Sequence, residues 1–257
     1  MTQLLGFNSN IVLDFDFVYK SSLAKDKLPD GLGYAYHDSN NWTVWKKLIE
    51  NEGKIIEQGL LNPHHFQAQT FVSHIRYASI GVKKLENTHP FIRELFDSEY
   101  VFAHSGHLRM YRAVELLEKY KPFGDTDSEE AFCMILEKLH KHRQVRNDSA
   151  KAKLIEEIAN ELAKQGGVNF LLTDGKTIFV YYSGYKSLNY LVLKPPHTNN
   201  VICEDIDFKL TIRCKDKPVS LTLISSEPIS VHEKWQNFEP RKIYFFKEGI
   251  HMKGYQI

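Results

Sequence analysis

Five short polar groups interrupt the apolar runs of this 257-residue sequence. They are Thr2; His74-Ile75-Arg76; Asn87-Thr88-His89-Pro90-Phe91; His104-Ser105-Gly106-His107; and Gly124-Asp125-Thr126-Asp127-Ser128-Glu129. Each stands at the end of an apolar run, where a sheet would present it to a cleft. Hydroxyls, imidazoles, a guanidinium and carboxylates could therefore meet, and nucleophilic and acid–base chemistry draws on those groups. Taken singly, each has a plainer reading. Arg76 after a strand reads as a surface or ion-paired arginine and Asp127 as a helix N-cap. Residues 87–91 read as a turn and Gly106 as a turn glycine.

The elements that must position these groups follow from hydrophobic period and punctuation. Runs rich in β-branched and aromatic residues predict strands over residues 3–7, 33–37, 41–45, 70–75 and 100–103, separated by Gly, Asn, Asp or Pro. A helix is predicted over residues 128–142, capped by Asp127 or Ser128, with Ala131, Phe132, Ile135 and Leu139 on one face. A second covers residues 147–164, with Leu154, Ile158 and Leu162 on one face and Gly166-Gly167 as its stop. Strands resume over residues 168–172 and 177–182 across an Asp174-Gly175 hairpin turn, then over 190–193, 208–213, 219–225 and 242–247. Strands, then helices, then strands fit two sheets with helices around them, and not alternating βα units. Residues 194–200, with two prolines, read as a surface loop, and no linker divides the chain.

Composition removes several function classes. Thirty-three basic against 32 acidic residues leave a formal charge of +1, without the cationic excess that nucleic acid or an anionic membrane requires. No window nears the roughly 18 consecutive apolar residues of a membrane span. No basic residue precedes Lys20, so a secretory leader is not expected. Cys133, Cys203 and Cys214 are too few and too widely spaced for a disulfide framework or a CxxC metal pairing. Each reads as a small buried hydrophobe, Cys133 on the apolar side of its helix and the other two flanking a strand. Twelve histidines, among them His64-His65, His104 and His107, and His140 and His142, lack the companion ligands of a zinc site. The expectation is a cytoplasmic protein of one domain over residues 1–257, without metal or cofactor.

Taken together and in order, the five groups resemble the class II glutamine amidotransferases, a family of N-terminal-nucleophile (Ntn) hydrolases. The similarity is strongest to their short stand-alone branch. That branch typically begins Met-Cys-x-Leu-Leu-Gly, has a His-Ile-Arg strand end and an Asn-Thr-His-Pro-Phe turn, and continues with Ala-His-Asn-Gly and Gly-x-Thr-Asp-Ser-Glu. The matching positions here are 1–6, 74–76, 87–91, 103–106 and 124–129, with Ser225-Ser226-Glu227-Pro228-Ile229 and Trp235-Gln236 also similar. The likeness spans essentially the whole chain. It implies an α+β fold, the four-layer αββα sandwich of Ntn hydrolases, with two antiparallel sheets between helical layers.

The resemblance also assigns roles. Residue 2 would be the nucleophile, its own α-amine the base once Met1 is removed, since that amine titrates near pH 7.7–8.0. Arg76 would take the α-carboxylate of glutamine, Asp127 its α-ammonium, and Gly106 would offer an N–H to the oxyanion. Ser79 falls where the family places a small polar residue against the substrate. Two positions depart from the family: Thr2 replaces the nucleophilic cysteine, and Ser105 replaces the oxyanion-hole asparagine. Asp30-Gly31-Leu32-Gly33 stands where Gly-Trp-Gly is usual, a change expected to alter packing only. Three readings of Thr2 stay open: a working threonine nucleophile, a catalytically inactive ligand-binding or regulatory relative, and an engineered residue. The substrate implied is small and zwitterionic, glutamine or a γ-glutamyl compound. With no second domain to consume ammonia, either a separate accepting partner protein or simple amidase action follows.

Overall fold

The computed structural model describes residues 3–20, 28–49, 64–77, 81–109, 117–205, 207–230 and 233–252. The strands β1 (Gln3–Tyr19), β2 (Gly31–His37), β3 (Trp42–Leu48), β4 (His64–Arg76), β5 (Phe91–Leu95) and β6 (Ser98–Leu108) come first. Helices α1 (Asp127–Lys141) and α2 (Asp148–Leu162) follow. The second half of the chain contributes β7 (Gly166–Thr173), β8 (Thr177–Tyr182), β9 (Asn189–Leu193), β10 (Val201–Glu204), β11 (Phe208–Ile212), β12 (Leu221–Ser225), β13 (Gln236–Asn237), β14 (Lys242–Lys247) and β15 (Ile250–His251).

Two sheets result, with every described pairing antiparallel. One is nine-stranded, in the order β13-β9-β12-β1-β4-β2-β3, with β11 and then β10 added beside β1. The other is six-stranded, in the order β15-β14-β8-β7-β6-β5. Strict alternation along the strands makes the sandwich. Leu4 and Val72 of the first sheet face Val101, Ala103, Leu171 and Val180 of the second in one buried cluster. Their neighbours Leu5, Phe7 and Phe71 turn the other way into a separate aromatic-rich cluster on the outer face of the nine-stranded sheet. Phe102 points away from the sandwich onto α1, where it stacks on Phe132 at 5.0 Å between ring centres. Both described α-helices cover the six-stranded sheet, as α1 meets β5 and β6 and α2 meets β7, β8 and β14.

The predicted α+β sandwich is the fold, with several local differences. β1 runs for 17 residues because an irregularity between Asn8 and Leu13 lets it pair β12 with one half and β11 with the other, while β4 pairs it over residues 3–8 and 13–17. Phe91 begins strand β5 and does not merely end a turn. The inward face of α2 is centred on Ala152, Ile155, Ala159 and Leu162, with Leu154 and Ile158 only partly buried. Cys203 lies within β10 rather than beside a strand. No helix among the described residues is long and apolar enough to cross a membrane.

Candidate active site

The site assembles where β1 begins, β4 and β6 end, and α1 starts. Arg76 is the last residue of β4, aligned with Gly31 of β2, and only 4% of it is exposed. Its Nη2 donates to the carbonyl of Gly81 at 3.3 Å. Burial lowers the guanidinium's pKa, while the carboxylates of Asp30, Asp125 and Asp127 act in the opposite direction. Arg76 is therefore a sequestered cation facing three acids. Gln3, the residue bonded to Thr2, pairs with Ile75, the residue before Arg76.

β6 supplies the opposite wall. β5 leaves it after the Phe91–Phe102 pair, whereas β7 accompanies it to Leu108. From His104 onward one edge of β6 is therefore unpaired with any strand among the described residues. Backbone groups alternate between the two edges of a strand, so His104, Gly106 and Leu108 share this open edge. The carbonyl of His104 accepts there from His74 Nε2 at 3.0 Å, and the N–H of Leu108 donates to Asp127 Oδ2 at 2.7 Å. Arg109 N, on the other edge, donates to Gln165 O, which fixes the alternation. The N–H of Gly106 faces the open edge between these two contacts. A Cβ on Gly106 would lie 1.9 Å from the carbonyl oxygen of Gly167, so the close β6–β7 approach admits only glycine. Ser105 is buried beside it, aligned with Asn169.

The start of α1 corrects one expectation. The N-cap is Thr126, whose side chain accepts from Glu129 N, and neither Asp127 nor Ser128 fills that place. Asp127 is the first helical residue, its carboxylate holding Leu108 N with Oδ2 and Ser128 N with Oδ1 at 2.9 Å. A threonine at the cap leaves the aspartate at the positive end of the helix dipole and buried, with 8% exposed. Asn87, fully buried, clamps the loop that leads in: Nδ2 donates to Val82 O and Asp125 Oδ1, and Oδ1 accepts from Asp125 N. Glu129 accepts from Phe123 N and Gly124 N and pairs with Arg93.

Three histidines form a buried layer behind the site. The rings of His74 and His89 meet at a tilt, 4.1 Å between centres, and His89 likewise meets Phe91 at 4.5 Å. His104 Nδ1 meets Ser128 Oγ at 2.8 Å, tying β6 to the residue after Asp127. Burial pushes the His74 imidazole down to about 3, that of His89 well below its usual range and that of His104 in the same direction. All three are neutral at physiological pH. A carbonyl can only accept, so His74 carries its proton on Nε2.

Of the residues predicted for the site, Arg76, Ser105, Gly106 and Asp127 gather around the open edge of β6, while Thr2 and Ser79 lie outside the described residues. The three cysteines are buried within the apolar clusters. Among the described residues no group of three or more His, Cys, Asp or Glu is arranged to hold a metal ion. Sequence reading missed the clamping by Asn87, the His74–His104 contact and the anchoring by Glu129. Only the last left a trace, the Thr-x-x-Glu spacing of a helix start.

The family model described as class II glutamine amidotransferases matches residues 1–256. The chain belongs to the class II glutamine amidotransferases. It is 30% identical over 256 residues to "Putative glutamine amidotransferase YafJ" of Escherichia coli, covering 97% of this chain and 98% of that one. It is 32% identical over 255 residues to "Uncharacterized protein MJ1515" of Methanocaldococcus jannaschii, covering 97% of this chain and 70% of that one. The crystal structure of a predicted glutamine amidotransferase from Pseudomonas aeruginosa superposes with a TM-score of 0.82 at 25% identity, covering 97% of this chain and 99% of that one. An allosteric regulatory enzyme of purine biosynthesis shares the fold over 97% of this chain and 48% of its own, with a TM-score of 0.63 at 16% identity.

Proposed function

We propose that this class II glutamine amidotransferase binds glutamine or a γ-glutamyl compound and hydrolyses its side-chain amide through Thr2. The observation that carries the reading is the open edge of β6, where the Gly106 N–H lies between the His104 carbonyl and the Asp127-bound Leu108 N–H. Arg76 forks onto the substrate's α-carboxylate and Asp127 takes its α-ammonium. One cation and one anion suit a zwitterion. Gly106 N–H and the Ser105 hydroxyl stabilise the oxyanion, the serine replacing a longer amide donor. Losing one such donor costs about 2.7–4 kcal/mol of transition-state stabilisation, so turnover is slower than with asparagine there.

In the reaction the Thr2 hydroxyl adds to the amide carbon and passes its proton to the α-amine freed by removal of Met1. The collapsing intermediate expels ammonia, which takes that proton, and leaves an ester on Thr2. Water then hydrolyses the ester to release the γ-carboxylate. A hydroxyl is a weaker nucleophile than a thiol of pKa about 8.5, so this chemistry leans harder on the base and on the oxyanion donors. Three buried free thiols favour a reducing, cytoplasmic setting, where a separate protein could accept the ammonia.

Intact-mass spectrometry combined with a glutaminase assay on the wild type and on Thr2→Cys and Thr2→Ala tests the reading. Loss of Met1, turnover by the wild type, more by Thr2→Cys and none by Thr2→Ala are expected. Retained Met1, or no turnover in any form, sinks the nucleophile and leaves a ligand-binding protein.

A further inference from the structure

A second cavity lies close to the start of α1, between the edge strands of the two sheets. There β3, the single Leu85–Asn87 turn of 3-10 helix, β5 and the start of α1 enclose an open cavity of about 500 Å3. That is within the size range of small-molecule pockets. Neither Arg76, Gly106 nor Asp127 lines it. Its walls are mainly apolar, from Trp45, Leu85, Phe91 and Phe123. Phe123 is 76% exposed and Leu85 46%, with Val82 at 62% close by in the same segment, so large apolar side chains are left facing water around this one mouth. Such exposed apolar groupings mark binding surfaces.

The charges in the cavity are unequal in what they still need. Arg93 and Glu129 are paired with each other. Arg93 also donates to Ile92 O and covers the ring of Phe123, its guanidinium carbon 3.9 Å from the ring centre. Glu129 accepts two further backbone N–H groups, from Phe123 and Gly124. Lys46 is held only by longer-range attraction to Glu129 and to Glu86, an exposed residue of the same lining. Its Nζ rests 5.2 Å from the centre of the Phe91 ring, and among the described residues no carboxylate lies within ion-pair distance of it. Burial pushes this ammonium down to about 8. A half-buried cation against an aromatic floor is stabilised by an anion that brings its own apolar surface.

We propose that this cavity binds an amphipathic organic anion, an aromatic or branched apolar body carrying one carboxylate. The carboxylate meets Lys46, and the body lies against Trp45, Phe91 and Phe123. A cationic ligand would confront both Lys46 and Arg93, with the carboxylate of Glu129 already occupied and only the exposed, solvated Glu86 left to attract it. A neutral ligand would cover the ammonium of Lys46 with only the longer-range attraction of Glu129 and Glu86 to offset its lost hydration. The site is separate from the glutamine pocket and stands whether or not that pocket turns over.

Calorimetry with 2-naphthoate and with its uncharged counterpart 2-naphthalenemethanol tests the proposal on the full chain. The wild type is expected to bind the acid at least tenfold more tightly than the alcohol. Lys46→Gln should erase that preference and Lys46→Arg should keep it, whereas Phe123→Ser should weaken both ligands. Asp127→Asn should leave acid binding unchanged, which separates this cavity from the glutamine pocket. Thermal melts confirm that each variant is folded. Equal affinity for acid and alcohol, no binding of either, acid binding indifferent to Lys46→Gln, or its loss in Asp127→Asn would each overturn the site.

Discussion

The imidazole of His74, on the nine-stranded sheet, donates from Nε2 to the carbonyl oxygen of His104 on the six-stranded sheet. A side chain of one sheet thus takes the place a neighbouring strand would occupy in the other. His74→Phe keeps the ring and removes the donor, stranding a buried carbonyl. A loss of about 1–3 kcal/mol in urea unfolding is expected. An unchanged midpoint would mean that the carbonyl finds another donor.

The buried histidine layer makes stability depend on pH in a definite sense. The folded-state pKa values of His74 and His89 lie below that of a free imidazole, about 6.5, with His74 at about 3. Below pH 6.5 the unfolded chain takes up protons that the folded chain refuses. The stabilisation is complete above that pH and is lost as the pH falls toward the folded values. Each such histidine contributes a slope of up to about 1.4 kcal/mol per pH unit. Thermal melts from pH 7.5 to 5 should show the midpoint falling below pH 6.5, less steeply in His89→Phe. A flat profile would contradict the neutral layer.

Asp127→Asn separates a structural role from a binding one. The asparagine Oδ1 can still accept from a backbone N–H, and the cap itself is Thr126. The melting temperature should therefore fall by only a few degrees, consistent with about 1 kcal/mol in a domain this size. Glutamine affinity in calorimetry should drop more than tenfold, because the counter-charge to the ammonium is gone. A variant that melts far lower yet binds normally would make the carboxylate a fastener only.

Cys133 and Cys203 have thiols that burial pushes up to about 12, and Cys214 shifts the same way. An aromatic disulfide reagent needs a thiolate with access to solvent. It should titrate no thiol in the native protein within minutes and all three after denaturation. Fast reaction of one thiol in the native state would show local opening of its cluster.

Much of this was legible in the sequence because strands and helices announce themselves by period. The strands at residues 177–182 and 242–247 match β8 and β14 to the residue, since each is an apolar run with clear turns beside it. Arg76 and Gly106 could be named as site residues because their neighbours form ordered motifs. What was hidden depends on partners distant in sequence. The Asp127 carboxylate resembles an N-cap until Leu108 is seen to occupy it, and Lys46 looks like a solvated strand lysine until Phe91 is placed beneath it. The irregularity that lets β1 serve two partners on one edge has no local signal, because β12 and β11 lie some 200 positions away.

That same strand decides when the molecule can finish itself. β1 is the first element to emerge during synthesis, yet two of its three neighbours, β11 and β12, are among the last. Until residues 208–225 are available, β1 can pair only with β4 and must carry a bare edge. Closing so long a loop is slow, and an unpaired strand edge is a template for association. Chains truncated before β11 should therefore aggregate rather than bind ligand. The chain's first strand becomes fully enclosed only once nearly the whole sequence has been made.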